Sequence, residues 1–337
     1  MDKKVKLLVL FWLLTLHKLW SQDPQFSQFY AAPLYLNPAF AGSTFEHRFI
    51  ANHRLQWPSL PQAFVTYAFS YDYNMAKVNS GFGFLVTTDK AGSANLRSTN
   101  LGMIYAYKVN LPSGWVISPA VHFSYTFRDI DFSKLVFGDQ LTFNNQGAPT
   151  SDPTLLTGIN GKYFDFGSGI LAYNKSSWLG FSAFHLNEPN ESLVGKVSRL
   201  PMRISIHGGY RIQLYQGPKK GINKSSIAPS FVYKRQGNFD QLDIGFHFHY
   251  NPIMAGLWYR GIPIQQTVSD NISQDAVTFL MGLRFDNFDV GYSYDITVSR
   301  FGINSGGSHE ISMMYQFNVI KAHKIKRKEK FIPCPTF

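Results

Sequence analysis

Beyond residue 46 the chain alternates apolar and polar residues with a period of two, the mark of strands whose two faces meet different surroundings. Residues 288–299 show it best. Phe288, Val290, Tyr292, Tyr294, Ile296 and Val298 share one face; Asp289, Gly291, Ser293, Asp295, Thr297 and Ser299 share the other. Leu242, Ile244, Phe246, Phe248 and Tyr250 likewise oppose Asp243, Gly245, His247, His249 and Asn251. In 203–214, Ile204, Ile206, Tyr210, Ile212 and Leu214 oppose Arg203, Ser205, His207, Arg211 and Gln213. The last run sets Ile311, Met313, Tyr315 and Phe317 against Glu310, Ser312, Gln316 and Asn318. About fourteen segments follow this rhythm, an even number, as a closed bacterial barrel requires. They lie near 47–57, 64–73, 81–88, 98–110, 115–130, 162–174, 177–186, 202–214, 225–236, 240–250, 253–262, 275–286, 288–299 and 308–319. Alternation is weakest in 47–57, 162–174, 177–186 and 253–262.

The connections carry a second signal. Most even-numbered ones are tight and built from turn formers: Leu111-Pro112-Ser113-Gly114, Asn174-Lys175-Ser176, Asn251-Pro252 and Asp286-Asn287. The odd-numbered ones include the longest, 131–161 and 187–201, followed by 263–274. Short and long connections in alternation put the long loops on one side of a membrane. A soluble β-sandwich also alternates, but it buries its apolar face against a second sheet and has no need of so many outward Phe and Tyr. Aromatics make up 16% of the chain, and Trp57, Tyr71, Tyr73, Tyr105, Tyr107, Trp115, Trp178 and Trp258 fall near strand ends, as interfacial girdles would. The expected fold is all-β: a transmembrane antiparallel outer-membrane β-barrel over 47–319, with outer-membrane lipid around it.

Lys3, Lys4 and Lys6 form a basic n-region, Val5 and the run Leu7–Leu16 an apolar h-region, and Ser21 is a small residue at which cleavage would follow; 1–21 reads as a signal peptide. The formal charge of +11 is concentrated at the ends. Lys3, Lys4, Lys6 and Lys18 lie in the signal region, and Lys321, Lys324, Lys326, Arg327, Lys328 and Lys330 in a basic tail, 320–337, expected in the periplasm. The body has no large basic face, so nucleic acid is not an expected partner. Cys334 stands alone and excludes an internal disulfide.

Between signal and barrel lies 22–46, with neither period. Pro24, Pro33 and Pro38 fix φ and remove donors, yet Phe26, Phe29, Tyr30, Leu34, Tyr35, Leu36 and Phe40 make it too apolar for a solvated linker. The segment requires a buried home in the lumen or at the barrel mouth. Asp23-Pro24, Phe26-Ser27-Gln28-Phe29-Tyr30, Pro33 and Leu36-Asn37-Pro38-Ala39-Phe40-Ala41-Gly42 resemble the opening signature of the PorP/SprF family, outer-membrane proteins of the type IX secretion system of Bacteroidetes. That resemblance implies a non-enzymatic outer-membrane component that anchors or handles secreted adhesins, meets periplasmic secretion components and, in gliding species, supports motility. It makes Asp23, Pro24, Phe26, Ser27, Gln28, Phe29, Tyr30, Pro33, Leu36, Asn37, Pro38, Ala39 and Gly42 the candidate binding residues. The alternative reading is a porin-like channel for small solutes.

Candidate chemistry is sparse. His122, His207, His247 and His249, with Asp243, Asp289, Asp295 and Glu310, sit on inward faces. His247 and His249 at i, i+2 present only two imidazoles, whereas a metal site needs three or four converging ligands. Polar residues line barrel lumens by default, and Arg203, Arg211 and Arg284 are ready partners. No Gly-x-Ser-x-Gly elbow occurs. No catalytic residue, metal or cofactor is expected.

Overall fold

A computed structural model describes residues 22–44, 47–60, 63–92, 94–131, 134–141, 149–150, 161–193, 197–215, 225–266, 272–298 and 305–317. The expected signal peptide, the basic tail with Cys334, and the middle of the longest loop lie outside these residues. The fourteen barrel strands are β1 (His47–Gln56), β2 (Phe64–Met75), β3 (Ser80–Ala91), β4 (Leu96–Tyr107, continued after Lys108 by Val109–Asn110), β5 (Val116–Asp129), β6 (Gly161–Tyr173), β7 (Ser177–Phe184), β8 (Arg203–Tyr210, continued by Ile212–Tyr215), β9 (Ser225–Gln236), β10 (Phe239–Tyr250), β11 (Ile253–Gln266), β12 (Ile272–Phe285), β13 (Phe288–Thr297) and β14 (Ser308–Phe317).

Each strand pairs antiparallel with its neighbours in sequence, and the sheet closes where β14 meets β1, His47 opposite Phe317 and Gln56 opposite Ser308. Closure removes the free sheet edges that lipid could not satisfy. Asn79 (φ 52) and Asp286 (φ 51) supply left-handed turn positions between strands, which Asn and Asp tolerate because their side chains bond the local backbone. Asn174 does so directly: its Oδ1 accepts from Ser176 N and Ser177 N, both at 2.8 Å.

The alternating faces fall as the pattern predicts. Phe246, Tyr292, Met313 and Tyr315 are exposed on the outer wall, while Asp243, His247, Asp289, Asp295 and Glu310 are buried inside. Three expectations change. Trp178 and Trp258 are not girdle residues; both are inward and buried, at 3% and 4% exposure, because they pack against what fills the lumen. The expected long loop 263–274 is mostly strand, since β11 runs to Gln266 and β12 starts at Ile272. One connection at the long-loop end is a tight turn, Gly237-Asn238, with Gln236 opposite Phe239. The turns 76–79, 174–176, 251–252 and 286–287 lie at the end opposite 130–160 and 185–202, although the connection from Tyr215 to Ser225 at the turn end is also long. By the loop-length rule we take the end bearing 130–160 and 185–202 as extracellular and the other as periplasmic.

Candidate functional site

The lumen is filled by the chain's own residues 22–44. No element in this segment exceeds four residues: a 3-10 turn at Phe29–Ala31, a helical turn at Pro33–Leu36 and a second 3-10 turn at Pro38–Phe40. Pro33 and Pro38 open the last two, where a missing N–H costs nothing. The segment enters at the periplasmic end and climbs toward the extracellular end as one reads back from 44 to 22.

At the periplasmic end Arg48 Nε donates to Asp72 Oδ1 (2.7 Å) and Arg48 Nη2 to Phe40 O (3.3 Å). Asp72 Oδ2 accepts from Gly42 N (2.8 Å), and Lys108 Nζ donates to Gly42 O. The backbones of Ala41-Gly42 and Gly81 touch; a Cβ on Gly81 would overlap the Ala41 carbonyl. Gly42 itself takes φ +65, which glycine adopts without strain.

Midway, Phe29, Tyr30, Leu34, Leu36 and Phe40 pack against inward Ile50, Ile104, Leu171, Tyr173, Trp178, Met254 and Trp258. The protein's core is therefore a core between segment and wall. Phe29 meets Trp258 edge-on at 4.8 Å, Tyr30 meets His247 at 4.5 Å, and Phe40 stacks on His207 at 5.2 Å. Asn37 Nδ2 donates toward Ile170 O (3.2 Å) and Phe181 O (3.1 Å) and lies 3.1 Å from His207 Nε2; its Oδ1 accepts from Ala39 N (2.9 Å). Gly169 leaves room for this amide, since a Cβ there would overlap Asn37 Oδ1. Ser182 Oγ donates to Leu36 O (2.7 Å), Ser118 Oγ to Ala39 O (3.2 Å) and Asn52 Nδ2 to Ala31 O (3.0 Å).

Higher up, Ser27 and Gln28 bind strands on both sides of the closing pair β1–β14. Glu310 Oε2 accepts from Ser27 N (2.7 Å) and Oε1 from Gln28 N (3.1 Å). Ser27 Oγ donates to Asp295 Oδ2 (2.6 Å) and accepts from Arg54 Nη1 (2.6 Å) and Arg260 Nη2 (2.8 Å). Gln28 Nε2 donates to Glu310 O (2.9 Å) and Ser293 Oγ (3.2 Å), while Oε1 accepts from Ser312 Oγ (2.6 Å). Arg54 and Arg260 each reach Asp295, so a buried charge is compensated on every side. Asp243, Asp295 and Glu310 are expected on the inward faces; Arg48, Arg54 and Arg260 join them there. The available signal was phase: 48, 50, 52 and 54 fall on one face of β1.

At the extracellular end Asp23 closes the segment. His185 Nε2 and Arg203 Nη1 lie 2.7 Å and 2.8 Å from Asp23 Oδ2, and His185 Nδ1 lies 2.8 Å from Asp165 Oδ2. Burial alone would lower the His185 pKa; the charges of Asp23 and Asp165 outweigh it and hold it at about 9. Burial would raise the Asp23 carboxyl, but His185 and Arg203 keep it far below the usual carboxylate range. Pro24 O accepts from Tyr35 OH (2.6 Å), and Phe26 meets the Tyr35 ring at 5.2 Å. Above lies a polar vestibule of about 640 Å³, lined by Asp23, Arg54, Asp89, Arg128, Lys234 and Arg260 among others. Among the described residues, no three His, Cys, Asp or Glu side chains come together as metal ligands.

The model of the family described as type IX secretion system membrane protein PorP/SprF matches residues 19–315. The chain belongs to the PorP/SprF family. It is accordingly a membrane protein of type IX secretion, an outer-membrane barrel. Among solved structures, the toluene transporter TodX of Pseudomonas putida is similar at 12% identity, covering 88% of this chain and 97% of that one, with a TM-score of 0.45. Omp33 of Acinetobacter baumannii is similar at 7% identity, covering 82% and 100%, with a TM-score of 0.43. Neither likeness bears on what passes or binds here. Comparison with curated proteins returned no match.

Proposed function

We propose that this PorP/SprF barrel is a plugged, non-enzymatic component that holds secreted surface adhesins at the extracellular end of the barrel and meets periplasmic secretion components at the other. In a gliding cell that holding role would support motility. The carrying observation is the lumen: 22–44 occupies it from Asp72 to His185 with its apolar side chains buried. A barrel so filled suits a docking platform better than a solute pore, and the vestibule gives a secreted chain a polar surface to meet. In this reading the motif residues from Asp23 to Gly42 build the plug, and the basic tail 320–337 is the periplasmic contact.

Deleting 26–42 behind an intact signal tests both readings. We expect the barrel to reach the membrane, adhesins to leave the cell surface, and liposome swelling to be slow for the intact protein and fast for the deletion. Fast swelling by the intact protein would favour the porin reading. Undiminished adhesin display by the deletion would remove the role given to the plug.

A further inference from the structure

The outer wall carries a feature that the plug and vestibule do not use. On β3 and β4, Thr87, Asp89, Ser98 and Asn100 line the vestibule, so the alternate residues Thr88, Lys90, Arg97 and Thr99 face outward. Lys90 is directly opposite Arg97 in register, and Thr88 opposite Thr99 with their hydroxyls 3.2 Å apart. Like charges directly opposite on one face repel. Arg97 is also in register with Asp129 on β5, and Lys90 Nζ lies 6.0 Å from the Tyr67 ring; among the described residues neither cation makes an ion pair. Two cations and two hydroxyls thus cluster on the lipid-facing wall, near its extracellular rim.

Beside them the wall is hollow. Ala51 sits between Phe69 and Met313 in register, and a methyl between two large side chains leaves a groove of about 340 Å³. Tyr67, Phe69, Val86, Ile311 and Met313 make it almost wholly apolar, and Thr88 lines it at the edge nearest Lys90. Its volume is at the lower end of ligand clefts, roughly 300–1,000 Å³.

We propose that this is a lipid site for a phosphate-bearing glycolipid of the lipid A type in the outer leaflet. One acyl chain lies in the groove over Ala51, and the phosphate sits between Lys90 and Arg97 with Thr88 and Thr99 donating to it. The anion converts the cross-strand repulsion into charge-assisted hydrogen bonds, about twice as strong as neutral ones. The acyl chain fills a hollow that the protein's own side chains leave open, recovering the dispersion contacts a void forfeits.

Native mass spectrometry of the purified full chain tests it, with lipid A, its dephosphorylated form and phosphatidylglycerol offered in turn. The intact protein should retain one lipid A through detergent exchange. The Lys90→Glu/Arg97→Glu pair and, separately, Ala51→Phe should each weaken that retention at least about tenfold, or 1.4 kcal/mol. Lys90→Arg should retain it, and Lys77→Glu, on a periplasmic turn, should change nothing. Heat-modifiable gel mobility verifies that each variant is folded; should Ala51→Phe not assemble, the charge pair decides alone. Undiminished retention after charge reversal would overturn the site. So would equal retention of phosphatidylglycerol or of the dephosphorylated lipid.

Discussion

Asn37 is an amide serving four partners inside a lumen, and its chemistry sets a sharp test. Two of them are strand carbonyls that need a donor, so Asn37→Asp, nearly the same shape, replaces a donor by a carboxylate facing carbonyl oxygens. Leaving buried polar groups mismatched and adding a charge costs about 3 kcal/mol or more. We expect a lower unfolding midpoint and protease cleavage within 22–44 where the intact protein resists. His185 offers a test by pH. Its folded pKa of about 9 lies above the free value of 6.5. The stability it contributes is fully present below 6.5 and is lost as pH rises through about 9. Asp23 is the opposite case: depressed when folded, it contributes above 3.8 and loses this only in strong acid. Raising pH from 7 to 10 should therefore cost the intact protein on the order of 3 kcal/mol more than the His185→Gln variant. Parallel alkaline curves for the two would show that the Asp23–His185 pair does not hold the plug.

At the scale of the strand, alternation spoke clearly where the inward face is polar and poorly where it is not. The four weakest segments are β1, β6, β7 and β11. The last three present Leu171, Tyr173, Trp178, Met254 and Trp258 to the plug, because a second apolar surface lies against them, a tertiary fact that no two-residue period can carry. The same cause misplaced Trp178 and Trp258 among the girdle residues. In β1 the inner face is instead polar apart from Ile50, with Arg48, Asn52 and Arg54 buried there, and the pattern blurs because His47, Ala51 and His53 stand on the outer face. The segment 22–44 was legible as buried, since its prolines and aromatics leave few other homes. Its hydrogen-bond partners were not, because Arg260, Asp295 and Glu310 lie 233, 268 and 283 positions from Ser27 and reach it only through barrel closure. The outer face is tested by Phe246→Arg or Tyr292→Arg. Both residues are exposed on the wall, and each change should cost about 2–4 kcal/mol near the bilayer midplane. The inward Asp289→Asn, which weakens a pair with Arg284 that is itself 40% exposed, should cost less. Assembled fraction by heat-modifiable mobility reads all three, and a reversed order would mean the faces are exchanged.

For the whole molecule, the loop-length rule leads us to expect 185–202 outside the cell and the tail 320–337 in the periplasm. A cysteine at exposed Val197 should react with an impermeant thiol reagent on intact cells, and Cys334 only after lysis; labelling of Cys334 on intact cells would invert the topology. The contacts of Ser27 and Gln28 have a further consequence, for the order of assembly. They bridge the barrel's one non-consecutive pairing, joining residues up to 284 positions apart: Glu310 and Ser312 on β14, Ser293 and Asp295 on β13, Arg54 on β1. Separations of that length carry the largest loop-closure entropy in the chain. Residues 27 and 28 thus act as an internal splint across the seam, and their grip on Glu310 and Ser312 waits until the last strand is in place. The lower part of the segment already has partners on β1, β2, β6 and β7, so a barrel stalled before β14 holds its stopper by one end alone.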